Sequence, residues 1–251
     1  MDLNITTGKP TTARIPLIVA GSLLITGTVA NTIVSTFHPS HADPNNHPAV
    51  FAEYAASATW IGVHYAQYAC VLTTIAGFVV LYRALTIARR PSAVDHLVLA
   101  AAITSAAALT VLQAIVGVAL KHSVDAWAAA AEPDKAGRFA AAETMRWLEW
   151  GANSYFYTLI GLTLALAGAA MLRGAVPRWL GWTGIIAGAA FVVNAVPVGY
   201  RGFEATPSGY VAVALFAVTA IGIIVAGVRT RRYTAAGPDN ASVARAYAIR
   251  R

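Results

Sequence analysis

The sequence predicts an all-α fold, a polytopic transmembrane helix bundle of six spans with both termini cytoplasmic, and three observations carry that prediction. Hydrophobic residues make up 57% of the 251 and charged residues only 12%, whereas a soluble domain carries roughly 25% charge. The apolar residues gather into six runs, each near the about 20 residues needed to cross a hydrocarbon core of roughly 30 Å. The basic residues concentrate between alternate runs, as cytoplasmic loops do. Six spans with short connections use up the chain and leave no soluble domain.

The first run covers about residues 15–36, after a polar stretch with Lys9 and Arg14. A basic start, an apolar run and Ser40-His41-Ala42 resemble a cleavable leader. The run, however, exceeds the roughly 7–15 residues of a leader's apolar region, so a retained helix is expected. The second run, about 58–81, ends in Arg83, Arg89, Arg90 and Pro91. From Glu53 through Ser57, Trp60, His64, Gln67 and Val71 the steps are three or four residues, which puts these side chains on one helix face beginning outside the membrane near Pro48. The third run covers about 94–120. The charged segment 121–149 follows, with an amphipathic outer helix expected from Asp134 to Trp150. The fourth, fifth and sixth runs cover about 151–172, 180–198 and 210–228. The remaining 229–251 form a basic tail without apolar periodicity, the composition of a disordered segment.

With the N-terminus inside, 13 of the 18 basic residues face the cytoplasm and eight of the 11 acidic ones face outward. That distribution selects the orientation, and the excess of arginine over lysine with abundant alanine suggests a bacterial source, hence a plasma-membrane location. A basic rim beside anionic lipid also accounts for the net charge of +7 without nucleic acid. The partner the sequence implies is the lipid bilayer.

Seven polar residues stand out because they fall in the outer third of the spans: Asn31, His64, Gln67, Gln113, Glu149, Asn153 and Asn194. Polar groups at membrane depth turn toward the bundle or toward water. The reading that makes them functional is an outward-facing pocket for a small molecule, lipid headgroup or ion. The structural alternative is a set of interhelical hydrogen bonds. A second cluster lies in the loop before the second span, where His38, His41, Asp43 and His47 fall within ten residues. Imidazole and carboxylate suit zinc or copper, although the spacing matches no recognised zinc pattern and three prolines restrict the loop. No H-E-x-x-H, phosphate-binding glycine loop or G-x-S-x-G turn is present. No catalytic residue is therefore assigned. Gly184 and Gly188 form a small-residue step on the fifth span, which suits a helix partner in the same chain or a homodimer.

The stretch from Leu172 through Arg173-Gly174-Ala175-Val176-Pro177-Arg178-Trp179-Leu180-Gly181-Trp182 to Gly188 resembles a segment of small bacterial polytopic proteins grouped as a domain of unknown function. That resemblance implies a compact bundle of six or seven helices and no activity. The expected function is a non-enzymatic membrane protein with an outward pocket, or an accessory subunit. The alternative is a metal-dependent membrane enzyme built on the outer histidines and Glu149.

Overall fold

The computed structural model describes residues 13–174 and 176–230. The predicted tail beyond Thr230, and Lys9 at the other end, lie outside the described residues. The chain folds as α1 (Arg14–Ser35), α2 (His47–Ala56), α3 (Trp60–Thr86), α4 (Ala93–Gln113), a π-helical segment (Ala114–Leu120), α5 (Lys121–Ala128), α6 (Glu132–Leu172), α7 (Arg178–Arg201) and α8 (Pro207–Arg229). Among the described residues there is no strand. Six helical stretches are long and apolar enough to cross a bilayer, the third being the continuous 93–128. The protein is an all-α, multi-pass membrane protein.

The spans form a ring. Consecutive spans α1, α3, α4, α6, α7 and α8 are neighbours, and α8 closes the circuit against α1. Small residues set the closest approaches, because without a hydrophobic drive between helices in lipid the backbones must touch to gain dispersion contact. A Cβ placed on Gly168 of α6 would lie 2.6 Å from Gly181 O and Ile185 N of α7. Gly184 packs on Gly168, and Gly188 on the backbone of Gly161 and Ala165. Of the two uses the Gly184/Gly188 step suits, a helix partner in the same chain or a homodimer, the structure shows the first, with α6 as the partner. Between α4 and α6, the buried hydroxyls of Ser105 and Thr163 meet at 3.1 Å.

The two ends of the ring differ. At the lower end, where Arg89 and Arg178 lie, Asp95 caps α4. Its carboxylate accepts from Ser92 N–H and Oγ and from both terminal nitrogens of Arg89 at 2.6–2.7 Å. Phe78, Leu81, Leu164, Met171, Leu180 and Ile223 are buried and close the lower half of the bundle.

The upper end carries a cap. Helix α6 has 41 residues, about 61 Å at 1.5 Å per residue, twice the thickness of the hydrocarbon core. The expected outer helix and the fourth span are therefore one rod. Pro133 lies in its first turn with Glu132 and Asp134, residues that suit a helix N-terminus. Against the projecting half of α6 pack α2 and α5, and Phe51 joins Trp127 and Phe139 at ring-centroid distances of 5.5–6.0 Å. Helix α2 is separate from α3, since Ser57 turns extended (ψ 111°) and breaks the face expected to run unbroken from Glu53. Lys121 caps α2, its Nζ donating to Tyr54 O and Ala55 O at 3.0 and 3.1 Å and pairing with Asp125. That arrangement places a cation where a helix end concentrates unsatisfied carbonyls.

Gly202 ends α7 at φ 76°, ψ −152°, a conformation that L side chains rarely adopt. Asn45 Nδ2 donates to Arg201 O at 2.8 Å, and the space a Cβ would need at Gly202 is filled by Asn45 Oδ1 and the Trp150 ring. Gly202→Ala is expected to destabilise the protein by about 2 kcal/mol or more, read as a fall in unfolding temperature. An unchanged melting curve would show that this junction does not hold the cap.

Candidate functional site

The cap and the upper ends of the spans enclose a vestibule of about 560 Å³. Six of the seven polar residues singled out in the sequence line it: Asn31 from α1, His64 and Gln67 from α3, Gln113 from α4, and Glu149 and Asn153 from α6. The helical phase explains the grouping on α6, where Glu149, Asn153, Phe156 and Tyr157 recur at steps of three and four and all reach the cavity. Asn194 is not among the lining residues. It accepts a hydrogen bond from Thr206 Oγ1, which also takes the N–H of Gly209 at 3.1 Å. Asn194 therefore fastens the N-terminus of α8. Depth along a span was legible for this residue, but the direction it faces was not.

The roof depends on a residue the sequence reading placed only in a charged segment. Arg146 is 1% exposed and lines the vestibule. Its Nη1 donates to Glu149 Oε2 at 2.6 Å and to the Tyr54 hydroxyl at 3.2 Å, while Nη2 donates to Pro44 O at 2.9 Å. The guanidinium also lies 5.6 Å from the Tyr54 ring centroid and 5.0 Å from that of Phe203, within the range of cation–π attraction. One side chain thus joins α2, α6, the 36–46 loop and the 202–206 loop. The i,i+3 spacing of Arg146 and Glu149, in register with Asn153, was the available signal. Burial pushes the Tyr54 hydroxyl well above its ordinary range, so Tyr54 is a neutral phenol in the roof. Beside it, Glu53 is held by the backbone N–H groups of His41 and Ala42 at 3.2 and 2.8 Å.

An aromatic wall completes the site. Trp60 is fully buried between Tyr54 and His64, with ring centroids 4.1 and 4.3 Å away. Its indole N–H donates to Val116 O at 3.0 Å, a carbonyl within the π segment, where the i→i+5 pattern disturbs the regular ladder. His38 packs on Trp60 and His64 at 4.8 and 5.2 Å. Burial lowers the His38 pKa, the bond to Pro39 O opposing it and the nearby Arg146 adding to it.

This lining offers several free acceptors and one unpartnered buried donor, the Nε–H of Arg146. Nδ1 of His38 meets Pro39 O at 2.7 Å, and Nδ1 of His64 meets Trp60 O at 2.9 Å. A carbonyl only accepts, so in neutral imidazole each Nδ1 carries the proton and each Nε2 is left as an acceptor. Gln113 Oε1 is buried and receives no hydrogen bond from the described residues. Gln67, by contrast, spends one donor on Ser35 Oγ at 3.0 Å.

The four loop residues expected to bind zinc or copper do not converge. His38 faces the aromatic wall, and His47 pairs through Nδ1 with Glu143 at 2.8 Å. Asp43 accepts from Asn45 N–H, and His41 contributes its backbone N–H to Glu53. Among the described residues no group of three His, Cys, Asp or Glu side chains is arranged to hold a metal ion. Metal ligation needs several donors within about 2.0–2.3 Å of one point, which these side chains do not supply.

Comparison with family models, with curated proteins and with solved structures finds no match for this chain.

Proposed function

We propose that this is a plasma-membrane binding protein whose outward-facing vestibule receives a small uncharged, hydrogen-bond-donating group such as a polyol. The observation that carries the reading is the convergence of six membrane-depth polar side chains from four spans on one cavity roofed by the Arg146–Glu149 pair. Lipid penalises polar side chains it cannot satisfy, so a sequence keeps such a set where water or a ligand meets it. The positive-inside distribution of arginines supports the outward orientation.

The charge balance selects the ligand class. Arg146 is neutralised by Glu149, and its terminal nitrogens donate to Tyr54, Glu149 and Pro44, while its Nε–H has no partner among the described residues. A phosphate would face the carboxylates of Glu53 and Glu149, which line the same cavity. A cation would face Arg146. At about 5 Å and an effective dielectric of about 20, either repulsion is about 3 kcal/mol. A hydroxyl avoids both and supplies the proton that Gln113 Oε1 lacks.

The test is thermal unfolding of the purified protein with glycerol, ethanolamine or inorganic phosphate, matched for osmolarity with sucrose. Glycerol is expected to raise the unfolding temperature of the wild type above its sucrose control. The increment should vanish in Gln113→Leu, which removes the unpaired acceptor. A gain with phosphate or ethanolamine alone, or a glycerol gain unchanged by Gln113→Leu, contradicts the reading.

A further inference from the structure

Beneath the polar vestibule lies a second cavity of about 150 Å³, and its lining is almost entirely apolar. Five of the six spans reach it, so it sits inside the ring and not on its lipid face. Phe78, Leu164, Phe191 and Phe216 are among its walls. It shares Asn31, Val71, Phe156 and Tyr157 with the vestibule, so the floor of one cavity is the ceiling of the other. Below it the buried side chains of Leu81, Met171 and Ile223 close the bundle. An apolar cavity of about this size stays dry and takes an apolar guest, because water there would lose its hydrogen bonds.

We infer that the ligand is an amphiphile, with its hydroxyl-bearing head in the vestibule and a short apolar tail ending in the chamber beneath. This inference rests on the proposed head-binding function and extends it to the class of molecule bound. The two cavities are stacked in the order such a molecule presents its parts: a polar space under the cap, then an apolar one deeper. A free polyol would leave the lower chamber empty, and an empty apolar space forfeits dispersion contact on every wall. An amphiphile fills both. A neighbouring groove of about 210 Å³ between α3 and the π segment shares only His64 and Gln113 with the vestibule, and its rim carries the exposed Tyr65 and Val118. That position makes the groove the side entrance for a molecule already dissolved in the bilayer, with His64 and Gln113 as the partition.

The probe is 1-monooctanoylglycerol bearing a photoreactive diazirine near the chain terminus, applied to the protein in lipid nanodiscs. After irradiation, adducts are located by peptide mass spectrometry. The expected adducts fall on chamber residues such as Phe78, Leu164 and Phe216, and excess unlabelled monooctanoylglycerol suppresses them. Ile160→Phe fills the chamber from a position that does not line the vestibule. It is expected to reduce chamber adducts at least about tenfold while retaining the glycerol-dependent rise in unfolding temperature. Retention of that rise also shows that the variant is folded. Adducts confined to the groove or the outer lipid-facing surface, with the glycerol response intact, overturn the tail assignment and leave the head site standing. Loss of the wild-type glycerol response together with absent chamber adducts overturns both.

Discussion

Replacing Arg146 with methionine is expected to destabilise the protein by about 3–5 kcal/mol, the cost of leaving a buried charge without its partner. Arg146 is 1% exposed and Glu149 is 6% exposed, so water does not take over the lost hydrogen bonds. The variant also strands the Tyr54 hydroxyl and Pro44 O, which both receive protons from the guanidinium. The cap should therefore loosen as a unit, since α2, α6 and two loops meet at this one side chain. Adding Glu149→Gln to Arg146→Met should recover part of the loss, because the second change removes the stranded carboxylate. Unfolding temperatures of the wild type, both single variants and the double variant give the coupling between the residues. A double variant as unstable as the sum of the singles would show that the pair does not act together. Glu149→Gln alone keeps the side-chain shape and tests the charge separately.

The second large effect is at the α6–α7 contact. Gly168→Leu is expected to prevent monodisperse folding, since a Cβ already falls 2.6 Å from backbone atoms of Gly181 and Ile185. Neither helix has a flexible side chain there to yield, so the rods must separate. Overpacking of a rigid interior typically costs about 1–3 kcal/mol and more when the backbone has to move. The matched control lies on the same helix. Gly137 and Gly151 of α6 have open space around a would-be Cβ, and alanine there should stabilise the helix by about 0.5–1 kcal/mol. Size-exclusion profiles and unfolding temperatures of Gly168→Leu and Gly151→Ala should move in opposite directions. If Gly168→Leu purifies as a stable monodisperse protein, the close backbone contact is wrong.

Both effects bear on how much could be read before the structure. The six spans were legible because a bilayer demands long apolar runs, a constraint strong enough to show through composition alone. The depth of the polar residues was legible for the same reason. Which way each one faces depends on helix phase and on the neighbours a span acquires. Asn31 and Gln113 turned toward the axis, while Asn194 turned toward the start of α8. The break at Ser57 and the π segment at 114–120 carry no compositional signal, and they shift the phase on either side of the aromatic wall. Arg146 was hidden by its setting, since arginine in a charged segment reads as a solvated residue. Only its three-residue step to Glu149, continued by Asn153 and Phe156, marked it as facing inward. The loop histidines show the converse. Residues close in sequence drew attention as a metal set, and the fold used them separately as aromatic packing, ion pair and backbone donor.

The most direct test of the vestibule is accessibility at its polar wall. In a Cys70→Ala background, Gln67→Cys places a single thiol in the cavity and Leu81→Cys places one in the sealed lower half. A membrane-impermeant, uncharged sugar-linked methanethiosulfonate applied to intact cells should modify Gln67→Cys and leave Leu81→Cys unmodified. Modification of Gln67→Cys only after the membrane is permeabilised, or equal resistance of both thiols, would contradict an outward-facing, water-filled vestibule.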